Sequence, residues 1–172
     1  MILISGKKYS GKSTLSNYIT TNYHNIISYS LADKLKQITF ELLQLFNINI
    51  SSIDDLYNEN KEKYRKYLQT IGTEMFQSNF GKEFWCEQVL KQIQKLPTHY
   101  TIIVDDIRFQ HEIDFFKRNF DNCVVIQIIN ERSVSNDIHP SETQNLQNID
   151  YIIKNNSTKE DLFKQFDNLQ LL

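Results

Sequence analysis

Gly6-Lys7-Lys8-Tyr9-Ser10-Gly11-Lys12-Ser13 spells G-x-x-x-x-G-K-S, and no other stretch constrains the fold as much. Such a string works only as a turn between a strand and a helix. Two glycines let the backbone bend tightly, so that successive N–H groups converge on phosphate oxygens. Lys12 adds a mobile charge for β- and γ-phosphates, and the Ser13 hydroxyl suits Mg²⁺. The flanks agree. Met1-Ile2-Leu3-Ile4-Ser5 reads as a short buried strand. Ser13 to Thr20 carries helical spacing, and its N-terminal dipole favours anions. Glycine is scarce, 4 in the whole chain, yet two stand in this string, which disfavours a chance match. Gly6, Lys7, Tyr9, Ser10, Gly11, Lys12, Ser13 and Thr14 are therefore expected to hold a nucleoside triphosphate.

The loop alone does not say what happens to that triphosphate. At 172 residues the chain fits one α/β domain with a substantial core. A formal net charge of −2 offers nucleic acid no general attraction, so no stable nucleic-acid binding is expected. No apolar run approaches the ~20 residues of a membrane span, and with a strand at the N-terminus no cleaved targeting peptide is expected. Cys86 and Cys123 stand alone, without metal spacing or a disulfide framework. A reducing, cytoplasmic setting is expected.

Apolar runs at Ile2–Ser5, Asn25–Tyr29, Tyr100–Asp105, Cys123–Ile129 and Tyr151–Ile153 alternate with helical patterns. Runs of this kind suit strands buried on both faces of a parallel sheet. Helices are expected over Leu31–Phe46, over Lys61–Lys95 with breaks at Gly72 and Gly81, over Phe109–Phe120 and over Lys159–Leu169. Ile38, Leu42, Leu45 and Phe46 share one helical face and are expected in the core. The order implies a three-layer α/β fold around a parallel five-stranded sheet, with ligands beyond the carboxyl ends of the strands.

Three segments after strands then matter. Ser30-Leu31-Ala32-Asp33-Lys34-Leu35-Lys36 places Asp33, Lys34 and Lys36 at a helix start on the ligand side. Asp33 there serves equally as a helix-dipole partner or a substrate contact. Thr101-Ile102-Ile103-Val104 runs into Asp105-Asp106-Ile107-Arg108, and an acidic pair after four apolar residues suits Mg²⁺ held directly or through water. The four arginines are Arg65, Arg108, Arg118 and Arg132; their planar forks suit phosphate. Arg65 alone reads as a surface helix residue.

Arg65-Lys66-Tyr67-Leu68-Gln69-Thr70-Ile71-Gly72-Thr73-Glu74 changes that, together with Phe80-Gly81-Lys82-Glu83-Phe84-Trp85 and Asp137-Ile138-His139-Pro140-Ser141-Glu142. With the loop, Leu31–Lys36, Asp105–Phe109 and Asn155-Asn156-Ser157-Thr158, these strings run in order along nearly the whole chain. The sequence resembles the deoxynucleoside monophosphate kinases of bacteriophages and large DNA viruses. The resemblance implies an adenylate-kinase-like P-loop core, an inserted monophosphate-binding region over about 31–96 and a short lid over about 131–146. It implies ATP as donor with Mg²⁺, and small nucleotide substrates. Lys12, Arg65, Arg108, Arg132 and Asp106 would serve transfer; Ser13, Asp105 and Asp106 would serve the metal; Asn155 and Ser157 would border the donor. Asp33, Lys34, Lys36, Arg65, Gly72, Thr73, Glu74, Trp85 and Arg108 would meet the acceptor. Trp85 with Phe84 offers either a base-stacking face or core packing. A monomer or a homodimer is compatible with the resemblance. Two positions depart from it: Gln77 stands where relatives tend to carry arginine, and Ser157 where they favour glycine. Other readings are a P-loop kinase of a small metabolite, phosphomevalonate- or shikimate-type, and a non-catalytic nucleotide-binding module. A GTPase switch is disfavoured, since no N-K-x-D string follows a strand.

Overall fold

In the computed structural model, which describes residues 1–58, 60–132 and 145–172, the apolar runs form five strands. These are β1 (Ile2–Gly6), β2 (Ile26–Ser30), β3 (Thr101–Ile107), β4 (Val124–Ile129) and β5 (Tyr151–Lys154). All pair in parallel, in the order β2-β3-β1-β4-β5. Parallel strands need crossovers, and helices supply them: α1 (Lys12–Asn22) after β1, α2 (Leu31–Leu45), α3 (Lys61–Gln69), α4 (Ser78–Phe80) and α5 (Phe84–Ile93) after β2, and α6 (Gln110–Asn119) after β3. A closing helix, α7 (Lys159–Asp167), follows β5. None of the described helices is long and apolar enough to cross a membrane.

The chain divides into two compact units. The first, Met1–Ser30 with Ile93–Leu172, contains the whole sheet. Alternate residues of β1, Ile2 and Ile4, join Leu15 and Ile19 of α1 and Leu162 and Phe166 of α7 in one core cluster. This follows from the period of two along a strand and of 3.6 along a helix. Central β1 is therefore buried up to Ser5, just before the phosphate loop begins at Gly6.

The second unit, Leu31–Gln92, has its own cluster of Leu43, Leu56 and Tyr64. Here one expectation needs correction. Leu45 and Phe46 are 71% and 66% exposed, because α2 buries the stripe of Leu31, Thr39 and Leu43 instead. Its last turn then leaves the core as Asn47, at φ 55°, turns the chain. Between Lys61 and Phe80 the helix does not break at Gly72 but widens into a π-helix over Thr70–Gln77.

Candidate active site

Gly6 ends β1, and the loop delivers Gly11 as the residue before α1. Gly11 sits at φ 107°, and a Cβ there would lie 2.5 Å from Asn155 Nδ2. Only glycine fits so close an approach at that dihedral. Gly11 brings no side-chain cap and the first turn of α1 no acid, so the dipole of this helix start is left to attract an anion. Ser13 is exposed and Thr14 half-buried in that turn. Tyr9, at φ 60°, is 72% exposed at the loop's tip. Ser10 is buried, and its carbonyl accepts from Asn155 Nδ2 at 2.8 Å. Asn155 thus braces the loop from the end of β5.

Lys12 is buried, its Nζ donating to the carbonyls of Gly6 at 2.7 Å and Lys7 at 2.9 Å. It lies 4.0 Å from Asp106 Oδ1, which also accepts from Arg108 Nε at 2.8 Å. Lys12, Asp106 and Arg108 are therefore brought together beside the loop.

The acidic pair is not a plain strand end, as the sequence suggested. β3 continues to Ile107, and between the pairs Leu3↔Val104 and Ser5↔Ile107 it carries one residue more than β1. The extra residue makes a bulge that turns Asp106 to φ 66°, and such bulges re-aim side chains next to functional sites. Beyond it, buried Glu112 accepts N–H bonds from Arg108 at 2.7 Å and Phe109 at 2.9 Å. Burial pushes its carboxyl up to about 7, against the pull of those two bonds. Glu112 escaped the sequence reading because Phe109 at the N-cap has no hydroxyl, so only the glutamate half of a capping box forms and the usual Ser/Thr-x-x-Glu signal is missing.

In the second unit Asp33 and Lys36 come together, with Nζ 3.7 Å from Oδ1. Tyr57, which carries no sequence motif, donates to the same oxygen at 3.1 Å, and Lys36 Nζ lies 3.8 Å from its ring centroid. Lys34 turns aside to Gln37. Arg65 is mostly buried, 3.9 Å from Glu62. Glu74 is exposed, and the Thr73 carbonyl accepts from Ser78. The Gln77 amide reaches the Lys82 carbonyl at 3.5 Å.

Trp85 offers no stacking face. It is 5% exposed, its indole N–H donates to the Gly72 carbonyl at 3.1 Å, and its ring packs against Phe76 and Phe84. Gly72 is equally structural here, since a Cβ would lie 2.8 Å from Leu35. The stacking face expected of Trp85 is corrected to packing.

Ser157 pairs with Asp161 at the start of α7 without entering the positive-φ region, so serine needs no glycine freedom there. Arg132 is exposed, its backbone N–H held by Asn130. Most of the expected lid, with Asp137, His139, Ser141 and Glu142, lies outside the described residues.

A family model described as deoxynucleotide monophosphate kinase matches residues 43–166, well over half of the chain. The chain belongs to the deoxynucleotide monophosphate kinase family. A candidate deoxynucleotide monophosphate kinase of Acanthamoeba polyphaga mimivirus is 28% identical, across 96% of this chain and 94% of its own length. The deoxynucleotide monophosphate kinase of Enterobacteria phage T4 is 27% identical, across 70% of this chain and 52% of its own. A solved structure, TT1252 from Thermus thermophilus, shares the fold at 13% identity, with a TM-score of 0.51 over 99% of this chain and 97% of that one. The kinase is a phosphotransferase acting on a nucleoside monophosphate, and the metabolite-kinase and non-catalytic readings are not favoured.

Proposed function

We infer that ATP is the donor, and that its terminal phosphoryl group passes to a deoxynucleoside 5′-monophosphate, giving the diphosphate and ADP. The observation that carries this reading is the grouping of Lys12 and Arg108 on one carboxylate oxygen beside a phosphate loop. An acceptor phosphate with a second pKa near 6 is largely ionised at pH 7 and needs little base. The difficulty is repulsion: two like unit charges 4 Å apart cost roughly 4 kcal/mol at an effective dielectric of 20. Cations must therefore line the path. Lys12 would leave the loop carbonyls for the donor phosphates, Arg65 and Arg108 would hold the acceptor phosphate, and Arg132 would join from the lid side. Transfer is then mostly positioning and charge neutralisation in a loose, in-line transition state.

The exposed Ser13 hydroxyl and the half-buried carboxyls of Asp105 and Asp106 are oxygen donors of the kind a hard divalent cation takes. No cluster of three or more acidic, His or Cys side chains among the described residues could hold a metal alone. The triphosphate and water would complete the shell of a Mg²⁺, which neutralises phosphate charge when bound.

A coupled-ADP assay across deoxy- and ribonucleoside monophosphates tests the reading, with Lys12→Ala as control. Turnover of one or more deoxynucleotides, abolished in the variant, is expected. No turnover with any monophosphate would overturn it.

A further inference from the structure

The second unit holds a built cluster that the transfer mechanism leaves unused. Tyr57 arrives from the connection between α2 and α3, which the structure ties down closely. Ser52 and Asp55 form a capping box around a short 3₁₀ turn, Ile53–Leu56. Leu56 is fully buried against Leu43 and Tyr64. This fixes the backbone entering Tyr57, whose hydroxyl then meets Asp33 at 3.1 Å while its ring lies under the Lys36 ammonium at 3.8 Å.

Tyr57 donates to Asp33 Oδ1, and the Lys36 ammonium forms an ion pair with the same oxygen at 3.7 Å. Among the described residues Oδ2 carries no hydrogen bond, and the side chain is 48% exposed. Tyr57 stays a donor throughout the working range, since burial and then the Asp33 charge push its hydroxyl up to about 12. The carboxylate is thus held in one orientation with one oxygen open.

An ionised carboxylate accepts hydrogen bonds only and repels phosphate. Its partner on the acceptor nucleotide must be a neutral O–H or N–H donor. Base N–H donors differ from base to base, whereas the 3′-hydroxyl is present on every deoxynucleotide. We propose that Asp33, oriented by Tyr57 and Lys36, accepts a hydrogen bond from the 3′-hydroxyl of the acceptor deoxynucleotide, with Tyr57 as its positioning residue. This rests on the monophosphate-kinase reading of the site.

The test compares kcat/KM for each deoxynucleoside 5′-monophosphate with that for its 2′,3′-dideoxy counterpart, in wild type, Asp33→Ala and Tyr57→Phe. A hydrogen bond to a charged group predicts a wild-type preference for the 3′-hydroxyl of roughly 10- to 100-fold. Asp33→Ala should bring the ratio near one. Tyr57→Phe keeps the ring under Lys36 and frees only the carboxylate, so the ratio should fall part-way; a merely structural role would slow both substrates equally. A ratio near one in wild type, an unchanged ratio in Asp33→Ala, or a shift in base preference at constant ratio would overturn the proposal. Should Asp33→Ala not fold, an unchanged ratio in Tyr57→Phe would overturn it alone. Absence of turnover with both substrates in wild type would instead overturn the transfer reading, and this inference with it.

Discussion

Glu112→Gln isolates one carboxyl whose protonation the fold controls. Glu112 is 6% exposed, and its Oε2 alone receives the N–H groups of Arg108 and Phe109. Oε1 can therefore carry a proton without breaking either bond. In the native state burial raises the carboxyl from 4.5 to about 7. Between those values the native state binds more protons than the unfolded chain, so this group's contribution to stability falls as pH rises. It is fully present below 4.5 and lost as pH passes through about 7. The full cost of ionisation is roughly 3 kcal/mol, and most of it falls between pH 5 and pH 8. Glutamine has nearly the same shape, keeps one acceptor oxygen for both N–H groups and cannot ionise. Urea unfolding of both proteins from pH 5 to pH 8 measures the difference, in which the other titrating groups cancel. The variant should gain roughly 2–3 kcal/mol on the wild type over that range. A difference that stays flat, or that moves against the variant as pH rises, would refute a buried carboxyl held protonated.

Trp85→Phe removes a buried N–H bond to Gly72 and should cost about 1–3 kcal/mol in urea unfolding. Base preference in kcat/KM should not change; altered base preference would restore Trp85 as a substrate contact. Gly11→Ala forces a Cβ to 2.5 Å from Asn155 Nδ2 at φ 107°, strain of about 1–3 kcal/mol from the dihedral alone. The KM for ATP should rise about tenfold or more, and adding Asn155→Ala should recover part of it; no recovery would clear Asn155 of the clash. Arg65→Ala should lower kcat/KM for the monophosphate about 100-fold while calorimetry shows ATP binding nearly unchanged. Equal loss of both would remove Arg65 from the acceptor site.

Strands and loop were legible because their causes are local. Ile2–Ile4, Ile102–Val104 and Val124–Ile129 are apolar runs that only a doubly covered sheet can bury, and the G-x-x-x-x-G-K-S string carries its own geometry. The bulge at Asp105–Asp106 was not legible, because an extra residue exists only relative to β1, a partner about a hundred positions away. Tyr57 was missed for a related reason: its position depends on Leu56 reaching Leu43 and Tyr64. The Ser52-x-x-Asp55 spacing was the available signal, since it marks a helical start just before the tyrosine. Trp85 was ambiguous because an aromatic face serves a base and a core equally well, and only burial separates the two.

One device recurs in both units. Asp106 Oδ1 serves Lys12 and Arg108, and Asp33 Oδ1 serves Lys36 and Tyr57. A long cationic side chain loses about 2 kcal/mol of rotamer entropy when it is fixed. An acid of its own within reach imposes part of that loss during folding, before a polyanion arrives. Asp106 holds its place at φ 66°, a conformation that costs about 1–3 kcal/mol away from glycine. A plain strand would put its carboxylate elsewhere, so the strain is offset by the pairing it makes possible. The acid then competes with phosphate for the same cations. On the proposed function, a triphosphate carrying several charges would outcompete this single carboxylate for Lys12 and Arg108, which the pairing holds beside the loop.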